Sequence, residues 1–393
     1  MNIALVQFYA YHEEVLAPQI DFLLPDNAVF VAAPANVFRH DYMAPFNTSV
    51  QKISFNDKRY ERGKIAAIPF RILSIIIKYL QLNKVVKKKK IDLIVFNTIN
   101  KPFHFILIKC FFRNIDKIHI IHNAQTYVTK EKALSLNSGF FKMNLFISFD
   151  VYNYYVNHGA VSFGLNSSLF DWFLPGLTNL ALVEQDSGQS VMDDENTITI
   201  VVPGSIDNQR RNYEGLFSAL ETAAPDMQRK TIRMRIILLG KCPDETKNRI
   251  AERGLNSVIK TYTEYVPGKE MLRVIKNADA VAFLIDKSIG ENCHLYNKYK
   301  ATGNSVFCLS FGLPCIVSDD FPVDGTLRER AIVYHASHIE TVLLDILNGR
   351  LSKDYFKKLR GTPLPEVYSP AYQRRHYREC LGLDTEKQDT CHG

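Results

Sequence analysis

The sequence predicts an α/β protein made of two doubly wound domains with parallel sheets. Three observations carry this expectation. Short apolar runs alternate with helix-like stretches along both halves of the chain. Several runs, such as "IDLIVFNT" and "TITIVVPG", are apolar nearly throughout, as parallel strands covered on both faces must be. One polar, acidic stretch without periodicity, "LVEQDSGQSVMDDEN" at 182–196, interrupts the alternation and reads as a linker.

In the first half the expected strands are "NIALVQFY", "NAVFVAA", "IDLIVFNT", "KIHIIHN" and "LFISF". Helices fit "HEEVLAPQIDFLL" and the long "AAIPFRILSIIIKYLQLNKVVKKKK" between them. After the linker the strands are "TITIVVPG", "RMRIILLG", "SVIKTYTEY", "AVAFLID", "PCIVSD" and "AIVYH". The helices there are "NYEGLFSALETAA", "DETKNRIAERG", "GKEMLRVIKNA" and "NSVFCLSFG". Strand–helix–strand order implies right-handed crossovers and parallel pairing. Each half then reads as Rossmann-like, and the two are expected to face one another across a cleft. The expected division is 1–181, a linker at 182–196, 197–366, and a tail at 367–393 that crosses back to the first domain. Ligands in such sheets bind beyond the C-terminal ends of the strands.

Composition narrows the classes. The chain has 393 residues and a net charge of +7, from 48 Lys and Arg against 41 Asp and Glu. This mild excess suits anionic ligands or an anionic membrane surface, and no aromatic-basic motif argues for nucleic acid. The seven cysteines form no CxxC pair, so they read as reduced thiols of a cytoplasmic protein, with no metal site and no disulfide frame. "MNIALVQFY" reads as a first strand because it lacks the basic region and long apolar core of a signal peptide. "FHFILIKCFF" is too short to cross a membrane and is interrupted by Lys109. GxGxxG, Walker A, GxSxG and HExxH motifs are all absent, and no acidic pair stands plainly at a strand end in the first half.

Five stretches carry candidate chemistry. In "VVPGSIDNQRRNYEG", Gly204 allows a tight turn after a strand, and Arg210 and Arg211 stand where a helix begins near Asn212. Unsatisfied backbone N–H groups there attract anions, and arginine adds bidentate phosphate contacts; solvated surface charge is the competing reading. In "YNKYKATGNSVFCLSFGLPCIVSD", Lys300, Thr302, Asn304 and Ser305 precede a nearly all-apolar helix, with Asn304 or Ser305 as its expected cap and Gly312 as its C-terminal stop. A buried helix with such an N-terminus is a phosphate seat, and an ordinary capped core helix is the alternative. His122 ends the apolar strand "IHIIH", where it suits a base, an orienting group or a structural histidine. Glu13, beside His12 and Glu14 after the first strand, offers a carboxylate that equally suits a first helical turn. Last, 62–90 mixes Ile, Leu and Phe with Arg62, Lys64, Arg71, Lys78, Lys84 and Lys87 to Lys90, as a membrane-surface helix or a solvated lysine-rich end would.

Together these features resemble the GT-B-type glycosyltransferases that build bacterial surface polysaccharides. The resemblance covers nearly the whole chain in architecture and is most specific over 198–320. There, "VVPGSIDNQRRNYEGL" and the "GLPCIVS" step match the family's donor-binding segments. The resemblance implies a nucleotide-diphosphate sugar donor held by Gly204, Arg210, Arg211, Lys300, Thr302, Asn304 and Ser305. It also implies a glycan or lipid-linked glycan acceptor on the first domain, with His122 or Glu13 as base or orienter. No cofactor and no metal follow from it, and the site of action would be the cytoplasm or the inner membrane face. Phe307 and Tyr299 stand where many retaining members carry paired glutamates, with Glu291 nearby, so no catalytic glutamate carries over. A sugar-nucleotide epimerase of the same double architecture, or a non-catalytic sugar-nucleotide binder, would carry the same features.

Overall fold

The computed structural model describes the chain apart from residues 10–12, 25, 56–67, 98, 100, 130–132, 134–135, 137–139, 177–195, 297, 324, 337 and 385–393. It divides into two compact units, Met1–Thr178 with Pro370–Gly393, and Asn179–Ser369. His12, Arg62, Lys64, most of the linker and Cys391 lie outside the described residues.

The first unit holds seven strands: β1 (Asn2–Gln7), β2 (Ala28–Pro34), β3 (Gln51–Phe55), β4 (Leu93–Asn97), β5 (Asp116–Ile121), β6 (Met143–Phe146) and β7 (Phe170–Trp172). All pair in parallel, in the order β3-β2-β1-β4-β5-β6-β7. Its helices are α1 (Glu13–Leu23), α2 (Ile68–Lys89), α3 (Pro102–Phe111) and α4 (Phe149–Tyr154), the last running on through a π-helical turn at Tyr155–Ala160. Two apolar clusters cover the sheet. One gathers Ile3, Leu5, Val95 and Ile118 with α1, and the other gathers Ala4, Val6, Ile94 and Phe96 with α2 and α3. Alternate residues of one strand therefore feed opposite layers, which is why these strands are apolar throughout.

The second unit holds β8 (Thr197–Pro203), β9 (Arg233–Lys241), β10 (Ile259–Tyr262), β11 (Ala280–Ala282), β12 (Cys315–Ser318) and β13 (Ala331–Tyr334). They too are parallel, in the order β10-β9-β8-β11-β12-β13. The helices are α5 (Tyr213–Arg229), α6 (Asp244–Glu252), α7 (Gly268–Lys276), α8 (Gly303–Phe311), α9 (Gly325–Arg328), α10 (Glu340–Leu347) and α11 (Lys353–Arg360). In α5, Tyr213, Leu216, Phe217, Leu220 and Ala223 recur every three or four residues and are buried. Its outer face carries Glu214, which pairs with Arg249 at 2.5 Å and Arg253 at 2.8 Å on or just past α6.

The last helix, α12 (Pro370–Cys380), belongs to the first unit and packs on α1. Proline suits a first helical position, where no N–H partner exists to lose. Tyr377 is fully buried against Phe22 and Phe173, at ring separations of 5.6 and 4.9 Å. Gln373 accepts a hydrogen bond from the Leu174 N–H at 2.7 Å, and Arg374 pairs with Asp21 at 2.7 Å.

Two buried groups set stability. Arg330, 1% exposed, donates through Nη1 to the carbonyls of Gly312 (2.9 Å) and Leu359 (3.1 Å), and through Nη2 to that of Thr362. These carbonyls lie at the C-terminal ends of α8 and α11, where the helix dipoles favour a cation. His119, in the middle of β5, is buried and bonded to Asn144 (3.3 Å) and to the Ile99 carbonyl (3.0 Å). Burial outweighs these hydrogen bonds and pulls its pKa from 6.5 down to about 4.

Arg330→Met keeps the volume but removes the hydrogen bonds to the Gly312, Leu359 and Thr362 carbonyls, and should lower the stability of the second unit by about 3 kcal/mol in urea unfolding. A change within about 0.5 kcal/mol would show that these bonds contribute nothing net. The unfolded chain takes up a proton at His119 below 6.5, whereas the folded one does so only near 4. The neutral imidazole's contribution is therefore complete above 6.5 and is lost as pH falls towards 4. Stability measured over that window should fall less steeply for His119→Asn than for the wild type; parallel slopes would contradict the assignment.

Candidate functional site

The second sheet reverses its winding between β8 and β11, which pair at its centre. Helices after these two strands leave towards opposite faces, so a crevice opens beyond their C-terminal ends. The loops bordering it are shaped by local sequence. Gly204 turns the chain at φ 100°, a conformation open to glycine, and its N–H donates to the Leu239 carbonyl at 3.1 Å. On β9, a Cβ at Gly240 would meet the Gly204 carbonyl at 2.2 Å, so only glycine lets the turn lie there.

Arg211 curls back over this turn. A Cβ on Gly204 would come within 3.0 Å of its Nη2, and Nη1 donates to the Ser205 carbonyl at 2.8 Å. Its Nε is buried and has no hydrogen-bond partner among the described residues. Arg210 differs: its side chain is exposed, and its backbone N–H donates to the Asp207 carbonyl at 3.0 Å.

Asn212 caps α5, its side chain accepting from the Gly215 N–H at 2.8 Å. The same residue bridges the crevice floor. Its N–H donates to the Leu284 carbonyl at 2.8 Å, and its Nδ2 donates to Asp286 at 2.8 Å. Asp286, 1% exposed, also accepts from the Ser288 N–H at 2.9 Å and from the Ser288 hydroxyl. Leu284 sits at φ 54°, a left-handed conformation that costs a non-glycine residue about 1–2 kcal/mol. The latch from Asn212 to the β11 loop holds that strain.

At the start of α8 the structure departs from the expected cap. Thr302, not Asn304 or Ser305, is the N-cap: it is extended, and its Oγ1 accepts from the Asn304 N–H at 3.3 Å. Gly303 takes the first helical position, which moves Asn304 and Ser305 inside the first turn. Asn304 is 1% exposed and donates to the Ala282 carbonyl at 3.4 Å, pinning α8 to the end of β11. Ser305 is 5% exposed, and its buried Oγ has no hydrogen-bond partner among the described residues. A buried hydroxyl without a partner is costly, and here it lies in a turn whose N–H groups also lack helical partners. The helix terminus adds roughly half a positive charge. Lys300 is half-buried in the preceding turn, where its N–H donates to the Leu295 carbonyl at 3.0 Å.

Gly204, Arg211, Thr302, Asn304 and Ser305 thus come to one sheet edge, while the Arg210 side chain stays in solvent. The arrangement offers donors and positive charge, while Asp286 beneath them is taken up by Asn212 and Ser288. Asp319 and Asp320, after β12, have partners of their own. Asp319 accepts from the Ala336 N–H at 2.7 Å, and Asp320 pairs with Lys287 at 2.5 Å.

In the first unit, Glu13 opens α1, with its side chain outside the described residues, and half-buried His122 follows the last residue of β5. The same unit holds a polar band whose partners are far apart in sequence. Gln19 and Asn97 exchange reciprocal hydrogen bonds of 3.0 Å, and His104 binds Tyr9 (3.2 Å) and Tyr79 (3.0 Å). The signal was present as single polar residues inside apolar runs, Asn97 in "VFN" and His104 in "FHFIL". Asn212 and Asp286 were missed as a pair because they lie 74 residues apart.

No protein-family model and no curated protein matches the chain. Solved structures do. A glycosyltransferase from Rickettsia africae ESF-5 aligns with a TM-score of 0.63 and 13% identity, over 98% of this chain and 99% of that one. A UDP-GlcNAc 2-epimerase from Neisseria meningitidis, bound to UDP-GlcNAc, aligns with a TM-score of 0.63 and 13% identity, over 98% and 100%. Sucrose-phosphate synthase from Thermosynechococcus elongatus aligns with a TM-score of 0.59 and 11% identity, over 98% and 100%. At such identities the likeness is one of fold: the chain has the α/β, double-Rossmann architecture of the GT-B type.

Proposed function

We propose that the protein is a glycosyltransferase that moves a sugar from a nucleotide-diphosphate donor to a glycan or lipid-linked glycan acceptor in surface-polysaccharide synthesis. The observation that carries this is the unpartnered Ser305 hydroxyl in the first turn of α8, at the same switch point as Arg211. The diphosphate accepts from Ser305, from the N–H groups of that turn and from Arg211. Lys300 adds charge, and Arg210 swings in from solvent. Positive charge then stabilises the departing nucleotide diphosphate with no metal required. The acceptor belongs to the first unit, with His122 or Glu13 orienting or deprotonating its hydroxyl. An epimerase reading shares the donor seat, and the equal likeness to an epimerase of the same fold favours keeping it.

Membrane attachment is part of the proposal. On α2, Ile72, Leu73, Ile77 and Leu80 are 41 to 52% exposed, and Ile106 on neighbouring α3 is 60% exposed. Lys84 and Lys87 to Lys90 are exposed at the end of the same helix. An apolar stripe continuing into a cationic end fits an anionic bilayer surface. Lys78 does not contribute, because it is buried and donates to the Phe8 carbonyl at 3.2 Å. The Arg71 side chain lies outside the described residues. No helix among the described residues is long and apolar enough to cross a membrane.

Nucleoside diphosphates and their sugars should raise the melting temperature of the wild type, and Arg211→Ala or Ser305→Ala should weaken binding about tenfold, or ~1.4 kcal/mol each. Undiminished binding by both variants would remove the diphosphate seat. Conversion of the sugar nucleotide without any acceptor would decide for the epimerase. The chain should sediment with anionic vesicles at low salt but not with neutral ones, and Leu73→Glu with Ile77→Glu should abolish this. Vesicle binding that ignores lipid charge and the double substitution would rule the surface out.

A further inference from the structure

The sequence reading assigns no metal, because the cysteines form no spaced pair. Folding nevertheless brings three donors of different chemistry together in the first unit, independently of the nucleotide seat. From Asp171 on β7, His376 and Cys380 on α12, we infer a binding site for a divalent transition metal of the zinc class. His376 Nε2 lies 3.0 Å from Asp171 Oδ1, and Cys380 Sγ lies 3.5 Å from Asp171 Oδ2 and 3.9 Å from His376 Nε2. Metal–ligand bonds of about 2.0–2.3 Å in a tetrahedron require ligand separations of about 3.3–3.6 Å; one atom from each of the three residues lies within 4.8 Å of the other two, so modest side-chain movement closes the site around an ion.

The placement follows from the fold. His376 and Cys380 are four residues apart and share one face of α12. Asp171 sits on β7, the edge strand of the sheet, so the ion would fasten the last helix to that edge. Nitrogen, sulfur and carboxylate oxygen together select zinc or cobalt and disfavour calcium and magnesium, which take oxygen alone. The His376 ring is also bonded to the Trp172 backbone, the kind of outer partner that orients a metal-binding imidazole.

Charge also balances: a divalent ion held by one neutral imidazole, one thiolate and one carboxylate leaves the site neutral, with the thiol proton released to solvent. Cys380 is buried, while His376 and Asp171 keep 17 and 28% of their side-chain surface, leaving the fourth position to water.

The test uses the full chain, stripped with a chelator and titrated with Co2+. The expected result is a thiolate-to-cobalt charge-transfer band with tetrahedral d–d bands, abolished by Zn2+ in competition. Cys380→Ser should lose the charge-transfer band, and His376→Gln should weaken Co2+ binding about tenfold or more. Cys110→Ser, which removes an exposed thiol, should retain both. If Cys380→Ser fails to fold, Asp171→Asn supplies a second measurement: Zn2+ should raise the melting temperature of the wild type and not of that variant. No band in the wild type, an unchanged band in folded Cys380→Ser, or equal Zn2+ shifts for wild type and Asp171→Asn would each overturn the assignment.

Discussion

Parallel strands whose two faces are both covered confine polar side chains to their ends, or to the few, such as His119 and Asn144, that find a buried partner. This constraint organises both units. In β1, residues Ile3 and Leu5 feed one layer while Ala4 and Val6 feed the other, so the strand carries nothing polar between Asn2 and Gln7. Polar function is pushed to the C-terminal edge, where the helices begin and their N–H groups lack partners. The winding reversal between β8 and β11 then opens space at one point of that edge.

The proposed nucleotide seat is assembled by a latch as much as by its donors. Asn212 closes the start of α5, binds the strained Leu284 carbonyl and holds Asp286, so the loops after β8 and β11 are tied together. Asn304 ties the start of α8 to the end of β11 in the same way. Electrostatic stabilisation of a leaving group depends on donors held in place before the reaction, because reorganising them would cost the barrier what they contribute. The charged residues Arg211 and Lys300 stand on this frame, and Arg210 stands off it.

Cations in this chain divide by depth. Arg330 and Lys78 are buried and satisfy carbonyls, at helix ends in one case and at the Phe8 turn in the other. Lys87 to Lys90 remain at the surface beyond an apolar stripe. The same residue type therefore serves packing in one place and surface electrostatics in another, and burial decides which.

The alternation of apolar runs and amphipathic stretches made the double α/β architecture legible, because a strand buried on both faces and a helix buried on one leave different periods in the sequence. Gly204 and the arginines after it, and the glycine–proline step after α8, were legible for the same local reason: turns and helix ends are short-range chemistry. The short strands β3 and β7 were not legible, since each is brief and gains its pairing from the sheet. Nor was the exact cap of α8, where Thr302, Asn304 and Ser305 are all good cap residues and only packing of Asn304 against Ala282 chose among them. The Asn212–Asp286 latch and the Asp171–His376–Cys380 cluster join residues 74 and some 200 positions apart. Local sequence carries no record of such pairs; only the closing of the sheets and the docking of α12 onto the first one decided them.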